Sequence, residues 1–248
     1  PEVLEHLKGC SEAHQAVSFR LYQWLEEGLQ RGLWPDLRQR LARQNWVYSD
    51  DGLWFNHRKV LGTHAFTYFG NRRGYWERGY RSCPTLCNLF EIPGRVEGAV
   101  VREFLEEIGA EVQRRGDREV LAGARALARM LLACYPRLEG SPLDRKLPVI
   151  LAQLRPGKEK RLVAAEHPGL VCSDTPSLER LFESTGKLLV AQTGNLEQRA
   201  AIEAFHGGLK IRNLRDSFRI RLQGEGREVS SECGPGLARL RTCLRSLQ

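Results

Sequence analysis

The sequence predicts an α+β fold made of two degenerate repeats, each a β-hairpin or small sheet packed with helices. Apolar residues recur at helical spacing along residues 11–31 and 97–135. Short runs of strand-forming residues, each pair joined by turn residues, occur near residue 50 and again near residue 156. Because the order of elements that begins at the first hairpin begins again at the second, we expect two parts, 1–140 and 141–248. The first part also contains the helices that precede the first hairpin, and the second part ends in a C-terminal helix.

The first part begins with two predicted helices and a hairpin. A helix over residues 11–31 has one apolar face, and a shorter helix runs from Pro35 to Arg43. Two aromatic runs, Trp46–Tyr48 and Leu53–Phe55, are then joined by turn residues that include Asp50 and Asp51. The spacing predicts a β-hairpin with a four-residue connection, in which both aspartates are turn residues.

The remaining elements follow from the same patterns. Residues 62–82 are aromatic and are predicted to be irregular. Regular elements are predicted at residues 97–114 (helix), 118–135 (helix), 149–154 and 161–165 (hairpin), from Thr175 (helix), 188–191 (strand), 196–205 (helix, stopped by Gly207 and Gly208), 218–222 (strand) and 237–247 (helix).

Two landmarks support a duplication. His57 and His167 follow the two hairpins and are 110 residues apart, and Phe90 and Phe205 are 115 residues apart. Nearly equal offsets predict a repeated unit.

Composition favours an ordinary cytoplasmic protein. The net charge is +8, but 31 of the 38 basic residues are arginine, a bias that a genome's codon usage produces everywhere in a chain. The seven scattered cysteines are typical of reduced, buried thiols. Arg125 and Arg129 interrupt the most apolar run, so no membrane span is predicted. Because the chain begins at Pro1 and its only methionine is Met130, we expect a piece of a longer protein or a processed form.

No motif for catalysis, a cofactor or a metal is found, and the protein is predicted not to be an enzyme. Cys83 and Cys87 form a C-x₃-C pair, but a structural zinc needs a second pair, so both are predicted to be core residues. Asp50, Asp51, Glu106, Glu107 and Asp174 lack the spacing of a nuclease, and there is no phosphate-binding glycine loop.

Residues 64–81 combine arginines with aromatic residues. Aromatic rings stack on bases and arginines contact phosphates, so this mixture is typical of a surface for single-stranded nucleic acid or another anionic ligand. The alternative is a loop whose rings pack onto helices while its arginines stay in solvent. The residues predicted to bind are Arg72, Arg73, Tyr75, Trp76, Arg78 and Arg81.

Three short motifs remain: Trp54–Val60, Asp174–Phe182 and Phe205–Leu209. They resemble the region downstream of the ATPase domain in sacsin-like proteins with an Hsp90-type ATPase domain, although His57 lies where a proline is expected. That family's nucleotide-binding motifs are absent, so the resemblance implies a non-catalytic structural or protein-interaction region without an ATP site. Its expected partners are the rest of its own chain and protein clients. The alternative function is a nucleic-acid-binding module that uses residues 64–81.

Overall fold

The computed structural model describes residues 14–123, 126–138, 143–155, 157–173 and 188–217. Within them, helices alternate with two two-stranded sheets and one five-stranded sheet, so the predicted α+β class is confirmed. The chain separates into two compact units. Unit 1 comprises Pro1–Phe104 and Arg129–Ser141, and unit 2 comprises Leu105–Ala128 and Pro142–Gln248. One junction thus lies next to the expected boundary at 140–141, whereas residues 105–128 group with the second unit.

Unit 1 begins with the predicted helices and hairpin. Helix α1 (His14–Gln30) is followed by the short helix α2 (Leu37–Leu41). Strand β1 (Val47–Tyr48) pairs antiparallel with β2 (Trp54–Phe55), which confirms the hairpin. In the connecting turn Gly52 has a φ of +79°, a conformation that glycine adopts without a steric penalty.

The chain after the hairpin is regular where the sequence predicts irregular structure. Strand β3 pairs in parallel with β4, and short helices lie between and after them. Each element is too short to be recognised from its own residues, because pairing and packing with distant residues stabilise it. The elements are β3 (Val60–Leu61), α3 (Phe66–Phe69), β4 (Gly74–Tyr75), α4 (Glu77–Ser82) and α5 (Pro84–Leu89).

An aromatic cluster forms the core of unit 1. Trp46, Trp76 and Tyr22 are each at most 2% exposed and meet edge to face, with ring centroids 4.8 Å apart for Tyr22 and Trp76. The Tyr22 hydroxyl donates a hydrogen bond to the Trp46 carbonyl (2.9 Å) and accepts one from the Tyr48 amide (2.8 Å). Burial raises the pKa of Tyr22, so this hydroxyl keeps its proton. One side chain therefore fixes helix α1 to the hairpin.

Three helices follow. Helix α6 (Gly98–Arg115) confirms the helix predicted at 97–114, and Gly116, with a φ of +84°, ends it. The single helix predicted at 118–135 is instead two helices, α7 (Asp117–Gly123) and α8 (Leu127–Cys134). Apolar spacing continues across both, and this is why the sequence does not reveal the division.

Unit 2 contains a five-stranded sheet with the order β6-β5-β8-β7-β9. The predicted second hairpin is confirmed as β5 and β6, and the predicted strand at 188–191 is β8. Strand β5 pairs antiparallel with both β6 and β8, whereas β7 pairs in parallel with β8 and β9. The strands are β5 (Ile150–Arg155), β6 (Lys160–Val163), β7 (Leu170–Cys172), β8 (Leu188–Ala191) and β9 (Arg212–Asn213).

Helix α9 (Leu196–Gly208) is the predicted helix at 196–205, extended at its end. Gly207 and Gly208 are its last two residues, so the helix ends at the predicted glycine pair and includes it. After β9 comes the one-turn helix α10 (Leu214–Ser217). The elements predicted from Thr175, at 218–222 and at 237–247 lie outside the described residues. The duplication stays a prediction.

Candidate functional site

The six residues predicted to bind nucleic acid separate into a buried and an accessible group. Arg73, Tyr75 and Trp76 are at most 2% exposed. Arg78 and Arg81 are exposed, and Arg72 is half-buried. The prediction that all six form one binding surface therefore needs correction. Tyr75 lies in strand β4, Arg73 precedes this strand and Trp76 follows it, and all three side chains are buried in unit 1.

Arg73 is a core residue in spite of its charge. Its guanidinium carbon lies 6.0 Å from the centroid of the Phe69 ring and 5.9 Å from that of Phe104, the range of a cation–π contact. It also donates a hydrogen bond to the Arg72 carbonyl (3.3 Å). A guanidinium surrounded by aromatic rings cannot reach a phosphate from this position. Arg73 thus stabilises the framework of unit 1.

The two buried aromatic residues, Tyr75 and Trp76, are likewise engaged in contacts within unit 1. The Tyr75 hydroxyl donates to the Gly70 carbonyl (2.6 Å), and burial raises the pKa of this hydroxyl. Trp76 packs against Tyr22 and Trp46. Stacking on a base needs an open ring face. Neither ring offers one, so both serve packing.

Arg78 and Arg81 lie one turn apart on helix α4 but differ in their partners. Arg81 forms an ion pair with Glu77. The Arg78 guanidinium carbon lies 5.2 Å from the centroid of the Phe19 ring on helix α1, and no carboxylate among the described residues pairs with it. Arg78 is therefore an exposed cation that packs against an aromatic ring.

Asp50, in the hairpin turn, positions the start of helix α4. Its Oδ2 atom accepts hydrogen bonds from the backbone amides of Glu77 (2.8 Å) and Arg78 (3.4 Å), and its own amide donates to the Tyr75 carbonyl (2.7 Å). Helix-starting amides lack partners within the helix, so a carboxylate that accepts from them is a cap. Asp50 is a turn residue, as predicted, but it also fixes Arg78 beside the turn.

These groups border a cleft of about 290 Å³, which we call the Phe19–Arg78 cleft. Its lining comprises Ser18, Phe19, Tyr22, Tyr48, Ser49, Asp50, Trp76 and Arg78. The lining combines hydroxyl groups and aromatic rings with one carboxylate and one guanidinium. A shallower hollow of about 420 Å³ shares Asp50 and Arg78 and adds Glu77, Arg81 and Ser82. Across both, two carboxylates balance two guanidinium groups.

Sequence reasoning identified one side of this cleft and missed the other. The sequence indicates Arg78 and Trp76 through the mixture of arginines and aromatic residues around them, and it indicates Asp50 through the turn residues of the hairpin. Ser18 and Phe19 lie on helix α1, roughly sixty residues earlier, and only folding brings them beside Arg78.

A second feature that the sequence did not indicate is the buried carboxylate of Glu26. It is 5% exposed and accepts hydrogen bonds from the amides of Thr85 (2.9 Å) and Leu86 (2.8 Å), at the start of helix α5. Gln30 adds a third bond, of 3.0 Å. Burial alone raises the pKa of Glu26, but the bonds from Thr85, Leu86 and Gln30 lower it by more, and the net pKa is below the usual value. Glu26 is thus a charged cap, placed by a different helix.

Cys83 and Cys87 are core residues, as predicted, and both thiols are at most 2% exposed. Burial raises their pKa values to about 11 and about 12, respectively, which keeps them protonated and unreactive. In the described parts of the chain, no three His, Cys, Asp or Glu side chains are grouped so that they could hold a metal ion. Asp174 lies outside those parts.

Among the helices that the structure describes, none is long and apolar enough to cross a membrane. Comparisons with protein-family models, with curated proteins and with solved structures find no match to this chain. The fold and the cleft are therefore the observations on which a functional proposal can be built.

Proposed function

We propose that this chain is a non-catalytic structural or protein-interaction region of a larger, sacsin-like protein with an Hsp90-type ATPase domain, acting in the cytoplasm. Its proposed partners are the rest of its own chain and protein clients. One observation carries the proposal: Arg73, Tyr75 and Trp76, the residues with the most suggestive chemistry, build the core of unit 1. A segment committed to packing supports a scaffold.

The competing function is nucleic-acid binding through residues 64–81. It now depends on Arg72, Arg78 and Arg81, since the other three predicted residues are buried. Arg81 already pairs with Glu77. A strand of phosphates gains affinity from several cations that release counterions together. A surface on which carboxylates balance guanidinium groups offers few such contacts, and this favours the scaffold proposal.

Two titrations of the full chain test the proposal. Isothermal calorimetry with Mg-ATP is expected to show no binding, since an interaction region downstream of the ATPase has no nucleotide site. Fluorescence anisotropy of labelled single- and double-stranded oligonucleotides, across a salt series, is expected to show no steeply salt-dependent affinity. Saturable ATP binding, or oligonucleotide binding that weakens tenfold or more with moderate salt and is lost when Arg72, Arg78 and Arg81 are replaced, would overturn the proposal.

A third measurement addresses protein interaction directly. The labelled chain is applied to an array of peptides that tile several unrelated soluble proteins. We expect it to retain a reproducible subset, because a client-contact region recognises short exposed segments. An array on which no peptide is retained above the background of a scrambled set would remove the interaction part of the proposal.

A further inference from the structure

We propose that the Phe19–Arg78 cleft is a docking site for an extended peptide segment that carries a large apolar side chain next to an acidic one. This inference rests on the proposed function and assigns it a location and a ligand chemistry. The cleft lies within unit 1, between helix α1, the hairpin turn and helix α4. The cleft combines a cavity with an exposed cation, Arg78, that has no carboxylate partner among the described residues.

The cleft has the size and rigidity that side-chain binding requires. Ligand pockets commonly enclose about 300–1,000 Å³, so a cleft of about 290 Å³ suits one or two side chains and excludes a folded domain. Tyr22 and Trp76 contribute to its lining and are each 2% exposed. The two hydrogen bonds of the Tyr22 hydroxyl hold that side chain in place. Because the cleft is already ordered, the binding free energy does not have to compensate for the entropy lost in ordering its side chains.

Charge selects the acidic partner. Arg78 is exposed, its guanidinium lies over the Phe19 ring, and among the described residues it has no ion pair. A guanidinium can donate two parallel hydrogen bonds to a carboxylate while it remains packed against an aromatic ring. Arg81 is already engaged by Glu77. The site therefore offers one cation for one carboxylate, with Phe19 and the cleft lining beside it for an apolar neighbour.

The same lining discriminates against a nucleic acid. Asp50 borders the cleft and the adjoining hollow, and Glu77 borders the hollow, so a run of successive phosphates along these surfaces would meet two carboxylates near Arg78. Base stacking is also excluded at the buried rings of Tyr22 and Trp76. A peptide presents a single carboxylate between neutral groups, so it meets this repulsion once instead of at every unit, and it does not need to stack on a buried ring.

The test uses four fluorescein-labelled octapeptides in a Gly-Ser background, with Leu-Asp, Leu-Asn, Gly-Asp or Leu-Lys at the centre. Anisotropy titrations compare the full chain with Arg78→Gln and with the matched control Arg81→Gln, which removes an equal charge one turn away. We expect the Leu-Asp peptide to bind most tightly. Arg78→Gln should weaken its binding by about tenfold and leave the Leu-Asn peptide unchanged, because only the carboxylate loses its partner. Arg81→Gln should change neither.

The outcomes separate this inference from the proposed function. Equal losses in both variants would mean attraction by overall charge and would overturn the cleft assignment. Retention of array peptides without a preference for the Leu-Asp peptide would also overturn the cleft assignment, but the proposed protein-interaction function would stand. Absence of binding to every peptide, including the array, would overturn both. If an oligonucleotide displaces the Leu-Asp peptide from the cleft, and if this displacement weakens with added salt, the cleft binds nucleic acid and the peptide proposal is overturned. Tryptophan fluorescence during urea unfolding confirms that both variants fold, since all five tryptophans precede residue 105 and belong to unit 1.

Discussion

Replacing Glu26 should remove a cap from a helix that lies almost sixty residues further along the chain. The carboxylate accepts from the backbone amides of Thr85 and Leu86, in the first turn of helix α5, where amides have no partner within the helix. Leu86 is fully buried and Thr85 is half-buried, so water replaces the carboxylate incompletely after Glu26→Ala. The two amides are then left largely without an acceptor.

The magnitude follows from those two bonds. A buried donor without an acceptor costs about 1–3 kcal/mol, and the half-exposed Thr85 amide lies at the low end of that range. Glu26→Ala also relieves the cost of burying a charge, which offsets part of the loss. We expect Glu26→Ala to lower the free energy of unfolding of unit 1 by about 3 kcal/mol. Glu26→Gln should lower it by about half as much, because an amide keeps only one acceptor oxygen.

Urea unfolding followed by tryptophan fluorescence measures this change selectively, because all five tryptophans belong to unit 1. The matched control is Glu27→Ala, which removes an exposed carboxylate from the next position of the same helix. A surface change of this kind should alter stability by less than about 0.5 kcal/mol. If Glu26→Ala falls within the same range as Glu27→Ala, the capping argument is refuted.

The pH dependence gives an independent check of sign. Burial alone raises the pKa of Glu26, but the hydrogen bonds from Thr85, Leu86 and Gln30 outweigh it, and the folded-state pKa is below the value of 4.5 expected of a free glutamate. The contribution of Glu26 is therefore complete above the unfolded-state pKa and is lost as the pH falls through the folded-state pKa. The stability difference between the native chain and Glu26→Ala should shrink in acid. A difference that grows as the pH is lowered would contradict this assignment.

Three further predictions concern other buried groups. Burial lowers the pKa of His206 from 6.5 to about 4, so unit 2 should lose up to about 3 kcal/mol of stability as the pH falls through that interval, and His206→Leu should abolish this loss. Pulse-labelled hydrogen exchange of unit 2, after equilibration in urea, measures the stability of both chains. An equal loss in the variant would contradict the prediction. Asp117→Asn should destabilise unit 2 by about 1 kcal/mol in the same assay, because it removes the partly buried ion pair with Arg161 that connects α7 to β6. An unchanged urea midpoint would show that this ion pair contributes nothing to stability. Gly79→Ala should lower the tryptophan-monitored stability of unit 1 by about 2 kcal/mol, because a Cβ there would lie 1.8 Å from the buried indole of Trp76; a gain in stability would mean that the ring moves freely.

Local chemistry was enough to predict the elements whose residues interact with close neighbours in sequence. The hairpin at β1 and β2 was predictable because turn residues separate two aromatic runs, and the second hairpin was predictable for the same reason. Helix α6 was predictable from its apolar period. In each of these cases, sequence spacing alone determines which residues face each other.

Contacts between distant residues were not predictable in this way. Glu26 precedes Leu86 by 60 residues and Phe19 precedes Arg78 by 59, and no local pattern relates the members of either pair. The parallel pairing of β3 with β4 joins two strands of two residues each, which are too short to have a period. Tertiary structure decides such contacts, and a single sequence contains no direct signal of it.

Residues 64–81 show why composition alone misidentified part of the site. Arginines beside aromatic rings are typical both of a surface that binds anions and of a core in which a guanidinium packs against rings. Arg73, held by Phe69 and Phe104, is buried and is of the second kind, whereas Arg78, held by Phe19, remains exposed. The chemistry is the same and the accessibility is opposite. Of the six residues predicted to bind, Arg72, Arg78 and Arg81 thus remain accessible, and only Arg78 lines the Phe19–Arg78 cleft. The comparison of Arg78→Gln with Arg81→Gln tests the cleft, because both changes remove one charge and only Arg78→Gln removes the cation of the cleft.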